Sequence, residues 1–182
     1  MVSEGAETTN STIRFADNSS VEMRPLGVRD GRLLAALATQ LSTESEFRRF
    51  LAGGKRVHSQ WVARLVNADQ VDSLVDGAIA TNEFGSNLVA VAESIRSPVS
   101  ADRAEFALLA ADAWQNLGLG TLLARHLATR AYRSGVRFWE AVMLTGNHPM
   151  ASVLGSVGPK VEEHSDMGLL TVTHALVPTV EG

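Results

Sequence analysis

Cysteine is absent from the sequence. Disulfides, thiolate metal sites and cysteine nucleophiles are excluded with it. Histidine is scarce and scattered: His58, His126, His148, His164 and His174 form no HxH or HxxxH pair. No metal site is therefore expected. Positive charge is not in excess either, since the formal net charge is -4 at pH 7. Such a surface has no general attraction for phosphate backbones, so nucleic acid is not the expected partner. No apolar run is long enough to cross a bilayer, and no membrane association is expected. Residues 1–10 are polar and acidic, without the basic start and apolar core of a secretory leader. They read as a disordered lead-in, and the expected location is the cytoplasm.

What is present suits one globular domain. The chain has 182 residues, 45% of them apolar and 20% charged, enough to bury a real core. The domain is expected over residues 11–178. Ile13-Arg14-Phe15 and Val21-Glu22-Met23-Arg24 flank Asp17-Asn18, a hairpin pattern. Asp30 is placed to cap a helix whose stripe is Leu33, Leu34, Leu37 and Leu41. A second helix is expected over Ser42 to Leu51, stopped by Gly53-Gly54, and a third over Ser59 to Val66 with Ser59 as its cap. Three strand-like runs follow: Ser73 to Thr81, Leu88 to Ile95 and Glu105 to Ala111, with turn chemistry over Asn82 to Asn87. An antiparallel meander is the simplest arrangement for them.

Leu119, Leu122, Leu123 and Leu127 then mark the apolar face of a helix from about Gly118 to Arg133, ended by Gly135. Val136 to Leu144 reads as a strand, and Asn147 opens a short helix that it caps. Lys160 to Glu163 and Leu169 to Val177 read as two closing strands. The last could present a sheet edge to a second subunit, so both monomer and homodimer stay open. The fold class is α/β (α+β in some schemes): a single domain with a mixed, mostly antiparallel sheet flanked by helices.

One stretch carries chemistry. A strand runs into Asp112-Ala113-Trp114, then Gln115-x-x-Gly118-x-Gly120, then a helix. A helix start leaves several backbone N–H groups without partners, and the helix dipole adds partial positive charge. Glycines there let a ligand approach the backbone, which suits a pyrophosphate. Taken alone, Gly-x-Gly before a helix also suits ordinary loop geometry. A dinucleotide fingerprint would need a glycine at 123, where Leu123 stands. A P-loop would need Lys after Gly120, where Thr121 stands.

Gln-x-x-Gly-x-Gly between strand and helix resembles the acetyl-CoA-binding motif of the GNAT superfamily, over about Ile13 to Val177. The chain is more narrowly similar to the bacterial protein-lysine acetyltransferase branch. That similarity is carried by Arg24-Pro25-Leu26 with Asp30, Ser45-Glu46-Phe47-Arg48-Arg49-Phe50, Ala104-Glu105-Phe106-Ala107, Asp112-Ala113-Trp114-Gln115 and Asn147-His148-Pro149-Met150. The resemblance implies a GNAT domain that moves an acetyl group from acetyl-CoA to a primary amine, a protein lysine being favoured, with CoA as product. It implies that the strand segment Leu109, Ala110 and Ala111 binds the pantetheine arm through backbone groups, with a strand N–H near Leu109 for the developing oxyanion. It implies that the N–H groups of Gln115, Asn116, Leu117, Gly118, Leu119, Gly120 and Thr121 hold the pyrophosphate. Asn147 would lie near the thioester. Three positions depart from the family pattern: Asn116 where glycine is common, Leu117 where a basic residue is frequent, and Gly158-Pro159 where Gly-Phe is usual.

An amine near pKa ~10.4 must lose a proton before it attacks, so a base is needed. The resemblance gives that role to Glu105, on a strand expected to half-bury it. The plainer alternative is an exposed edge residue or a partner of Arg103. Asp112 reads as structural, and Tyr132 as core rather than an acid. Arg48 and Arg49 could guide the acceptor, but the plainer reading is a solvated helix face, pairing with Glu44 and Glu46, above a buried Phe47 and Phe50. Trp61 and Trp139 read as core, and Trp114 as packing beneath the phosphate loop. Two other functions stand beside this one: acetylation of a small-molecule amine, and a non-catalytic acyl-CoA-binding regulatory module, kept open by Asn116 and Leu117.

Overall fold

Apolar side chains sort into two buried clusters divided by a single sheet. The computed structural model describes residues 10–14, 20–50 and 55–177. In chain order the elements are β1 (Ser11–Arg14), β2 (Ser20–Pro25), α1 (Gly31–Thr39), α2 (Thr43–Phe50), α3 (Lys55–Val66), β3 (Ser73–Asn82), β4 (Gly85–Arg96), β5 (Arg103–Ala110), α4 (Leu119–Arg133), β6 (Phe138–Leu144), α5 (His148–Gly155), β7 (Lys160–Asp166) and β8 (Leu169–Ala175). The eight strands lie in the order β1-β2-β3-β4-β5-β6-β8-β7. Every neighbouring pair is antiparallel except β5 with β6. The expected mixed sheet with its antiparallel meander is what forms. No helix among the described residues is long and apolar enough to cross a membrane.

Helix α4 buries Leu119, Leu123, Ala124, Leu127, Ala128 and Ala131 against one face. Leu122, expected in that stripe, is 40% exposed because it falls on the flank of the 3.6-residue repeat. Beneath lie Phe106 and Trp139, stacked with centroids 4.1 Å apart, and the Trp139 indole N–H donates to Ser94 Oγ at 2.9 Å. A polar tie crosses the same layer: the buried Asp76 of β3 takes His126 Nδ1 at 2.9 Å and the Arg130 guanidinium, both from α4. The other face carries Leu34 and Leu37 of α1 and Trp61 and Leu65 of α3.

Local expectations fail where a tertiary partner outbids a local one. Asp30 does not cap α1 with its side chain. Its carboxylate instead accepts from Arg24 at 2.7 and 3.0 Å and from the Gly27 N–H at 3.0 Å. Ser59 lies inside α3, which begins at Lys55. Strands β3 and β4 reach further than their apolar runs, leaving only Glu83-Phe84 as the turn. The outer edge on that side belongs to β7, so β8 is paired on both sides and offers no free edge. The first ten residues apart from Asn10, Phe15, the Asp17-Asn18 turn, Leu51 and the Gly53-Gly54 stop lie outside the described residues.

Gly158 is the tightest backbone contact. A Cβ there would lie 1.8 Å from the Ala175 carbonyl oxygen, and the neighbouring Pro159 carbonyl accepts from Ala175 N–H at 2.9 Å. Gly158→Ala must therefore displace backbone between α5 and β8. It should destabilise the protein by about 3 kcal/mol, seen in a thermal melt as a midpoint lower by about 6–12 °C.

Candidate active site

Strands β5 and β6 pair only where Arg103, Ala104 and Glu105 meet Phe138, Trp139 and Glu140. Beyond that point β6 stays paired to β8 through Leu144, while β5 stays paired to β4 through Ala110. The two strands part and open a cleft of about 550 Å³. Phe106 to Ala110 form one wall, Val142, Met143 and the start of α5 the other, and Ser45, Arg49 and Phe50 of α2 close the side.

The direction of the backbone groups corrects one expectation. Ala111 N–H donates to Val89 O at 2.8 Å, and the Arg103 carbonyl accepts from Ser97 N–H at 2.9 Å. Both are rungs of the β4–β5 ladder, and backbone groups alternate sides along a strand. Glu105, Ala107, Leu109 and Ala111 thus spend theirs on β4. Leu109 and Ala111 are also buried, and Ala111 does not line the cleft. The groups that face the split belong to Leu108 and Ala110. Of the expected trio only Ala110 is so placed, and Leu108 was not expected. Two-residue alternation would have found it, had β4 been known as the partner on the other edge.

The loop after β5 has the geometry an anion needs. A single 3-10 turn over Asp112–Trp114 leads into Gln115, then Asn116 at φ 60° and Gly118 at φ 80°. The first α4 amide to find a partner is Leu122 N–H, on Gly118 O at 3.1 Å. The amides just before it have no intrahelical acceptor. Asparagine is one of the few residues that tolerate the left-handed region, so Asn116 keeps the shape a glycine would give. A Cβ on Gly120 would lie 3.2 Å from Leu108 Cδ2, so its absence lets the helix start close against β5. Asn116, Gly118, Gly120 and Thr121 line the cleft with Gln115. Leu117 is 69% exposed and Leu119 is buried under α4, and neither side chain lines it. Trp114 packs against both core clusters at the base of the loop.

No family model matches the chain. Solved structures do. The GNAT domain of the S. lividans protein acetyltransferase PAT superposes with a TM-score of 0.77 at 26% identity, over 92% of this chain and 97% of that one. The fold is that of the GNAT acetyltransferases. A cAMP-binding acyltransferase from Mycobacterium smegmatis matches with a TM-score of 0.61 at 22% identity, over 94% of this chain but 48% of that one. The ribosomal-protein-S5-alanine acetyltransferase from Vibrio fischeri shares the fold at 9% identity, with a TM-score of 0.69 over 93% and 98% of the two chains.

In this GNAT fold Glu105 sits at the fork, the last residue of β5 paired to β6. Its side chain is exposed, not half-buried as expected. Nor does it pair with Arg103, which reaches Glu162 at 2.7 Å. Among the described residues the Glu105 side chain makes no hydrogen bond or ion pair. Arg49 is not on a solvated face: its side chain is 16% exposed and bound to Glu93 of β4. Burial, with the like charge of Arg64 adding and Glu105 opposing, lowers the Arg49 guanidinium to about 10. Arg48 does pair with Glu44, but Glu46 takes His58 at 2.9 Å, and Phe47 is 51% exposed. Tyr132 packs against the core with Arg137 4.0 Å over its ring. Asn147 caps α5 through Met150 N–H at 3.3 Å and lines the cleft, whereas His148 is exposed and does not.

Asp112 ties this site to α2. Its carboxylate accepts from Ser42 N–H at 3.0 Å and from the Ser45 hydroxyl, and Gln115 Nε2 donates to Ser45 Oγ at 2.9 Å. The Ser45 hydroxyl above all, with Ser42 adding, holds the Asp112 carboxyl below its ordinary value of 3.8. A lowered folded value means the link is complete above 3.8 and is lost as pH falls through the folded value. Asp112→Ala should therefore speed amide hydrogen exchange across Thr43–Phe50 and leave β4 unchanged. The unaltered protein should show the same local loosening on acidification.

Proposed function

We propose that the protein is an acetyl-CoA-dependent N-acetyltransferase acting on a primary amine, with a protein lysine as the favoured acceptor. The observation that carries this reading is the parting of β5 from β6 beside a helix start with free amides. A long, anionic ligand with an extended arm fits that arrangement. Pyrophosphate oxygens suit the amides from Asn116 to Thr121, and an amide-bearing arm suits the unpaired edge of Leu108 and Ala110. The Gln115 amide donates instead to Asp112 O at 3.3 Å, so its part is to hold Ser45 and the Ala110 carbonyl through its side chain. Acetyl-CoA supplies an acetyl group already activated as a thioester.

The remaining chemistry belongs to the chain. Glu105 takes the proton from the acceptor ammonium, directly or through one water, as a general base does. It stands at the fork where the cleft meets solvent, so a side chain of another protein can reach it. Asn147 borders the reacting end. With no cysteine in the sequence, direct attack by the amine needs no acyl-enzyme. The lysine preference rests on the protein-lysine branch motifs together with the likeness to the S. lividans domain. The working unit is assigned to residues 11–178, in the cytoplasm.

Acetyl-CoA at about 100 times its dissociation constant should add roughly 2.7 kcal/mol and raise the melting midpoint by about 5–10 °C. Gly120→Glu, which puts a carboxylate among the phosphate-facing amides, should abolish the shift. A folded protein with no shift would remove the cofactor assignment. Glu105→Gln should keep the shift and lower kcat by about 10²–10⁴-fold. Acetyl-lysine counted by mass spectrometry on bacterial proteins, against turnover of free amines, separates the protein acceptor from a small one.

A further inference from the structure

An arginine paired to a carboxylate favours its charged form and makes it a weaker base, and two arginines lie near Glu105. The charges of Arg49 from α2 and Arg64 from α3 both act on it. Yet neither guanidinium binds Glu105. Both are held by Glu93, which is 4% exposed on β4. Arg64 Nη1 lies 2.6 Å from Glu93 Oε2 and its Nη2 3.2 Å from Oε1, and Arg49 Nη2 binds the same Oε1. In the β4–β5 register Glu93 faces Ala107 while Ile95 faces Glu105, so the two carboxylates are diagonal neighbours on one face of the sheet. Two cations and one buried anion leave a unit of positive charge beside the fork.

We infer that Glu93 is a positioning residue: it captures Arg49 and Arg64 and so keeps the Glu105 carboxylate free of an ion pair. The inference rests on the reading of Glu105 as the base. A buried carboxylate is costly unless paired, which makes its partners strongly held. Arg49 and Glu105 line the same cleft, and the carboxylate that now holds Arg49 is the diagonal neighbour of Glu105. Glu93 thereby decides which carboxylate of the face is neutralised and which is left to accept a proton. The charged groups facing Glu105 are Arg49 and Arg48 of α2 (Arg48 paired to Glu44), Arg64 of α3, Glu93 of β4 and its register partner Glu140 of β6.

The test is Glu93→Gln in the full chain, with acetyl-CoA binding read by thermal shift and acetyl transfer by CoA release at saturating acceptor. The shift should be retained while kcat falls by about 10–100-fold, part of what a positioned base contributes. The acid limb of the pH–rate profile should move to lower pH, because a new arginine partner favours the charged carboxylate. Glu93→Asp should recover most of the rate. If Glu93→Gln does not fold, E93Q/R49Q and E93Q/R49Q/R64Q remove the buried charge with its partners. In that series kcat should climb as each guanidinium is taken away. A wild-type kcat and pH profile in E93Q, or a flat series, would overturn the inference. A wild-type rate in Glu105→Gln would instead sink the base assignment beneath it.

Discussion

Strand β5 can satisfy both of its edges only as far as Glu105. From Phe106 onward one edge belongs to β4 and the other faces the cleft. That single interruption of the hydrogen-bond ladder sets the rest of the site. A sheet interior ordinarily leaves no room between neighbours about 4.8 Å apart. Here β6 leaves β5 after Glu140 while it stays in register with β8 along its whole length. The backbone of Leu108 and Ala110, which would be ladder in an unbroken sheet, faces the cleft instead. The same strand then turns directly into the helix-start loop, so the cleft wall and that loop are one continuous backbone.

Helix α2 closes the cleft by polar ties more than by apolar burial. Ser45 is its only fully buried residue, and Phe47 stays largely in water. Its first turn is bound to Asp112 and Gln115 beside the helix-start loop, and its last turn reaches Glu93 through Arg49. Charged and hydrogen-bonded ties depend on geometry more steeply than packing does. A helix held this way is well defined when every partner is in place and loosens when one is lost. Burying Glu93 gains little net stability by itself, since desolvation of the charges offsets their attraction. Its value lies in deciding where Arg49 and Arg64 go.

Much of the fold was legible from local pattern. The 3.6-residue stripe of α4, the three apolar runs of the meander and the Asn147 cap each depend on residues close in sequence, and each is present. Asn116, which departs from the family's glycine, proved compatible with the loop because asparagine shares the left-handed backbone region. The misses at charged side chains came from partners outside the helix concerned. Asp30 turned from a cap to Arg24, and Arg49 turned from the helix surface to Glu93, forty-four residues on. Glu105 is exposed because it points to the face of β5 opposite the buried Ala104 and Phe106.

The sequence by itself determined the element order, the mixed sheet and the position of the helix-start loop. These follow from periodicity, turn chemistry and a contiguous motif, all short-range physics. Only the tertiary structure decided which strand amides face the cleft, which carboxylate is free and which is captured. A strand's period of two says that its backbone groups alternate, but not which set faces which neighbour. That phase is set by the β4–β5 pairing. The fate of each charge is likewise set by the nearest opposite charge in space, and here that charge comes from another element.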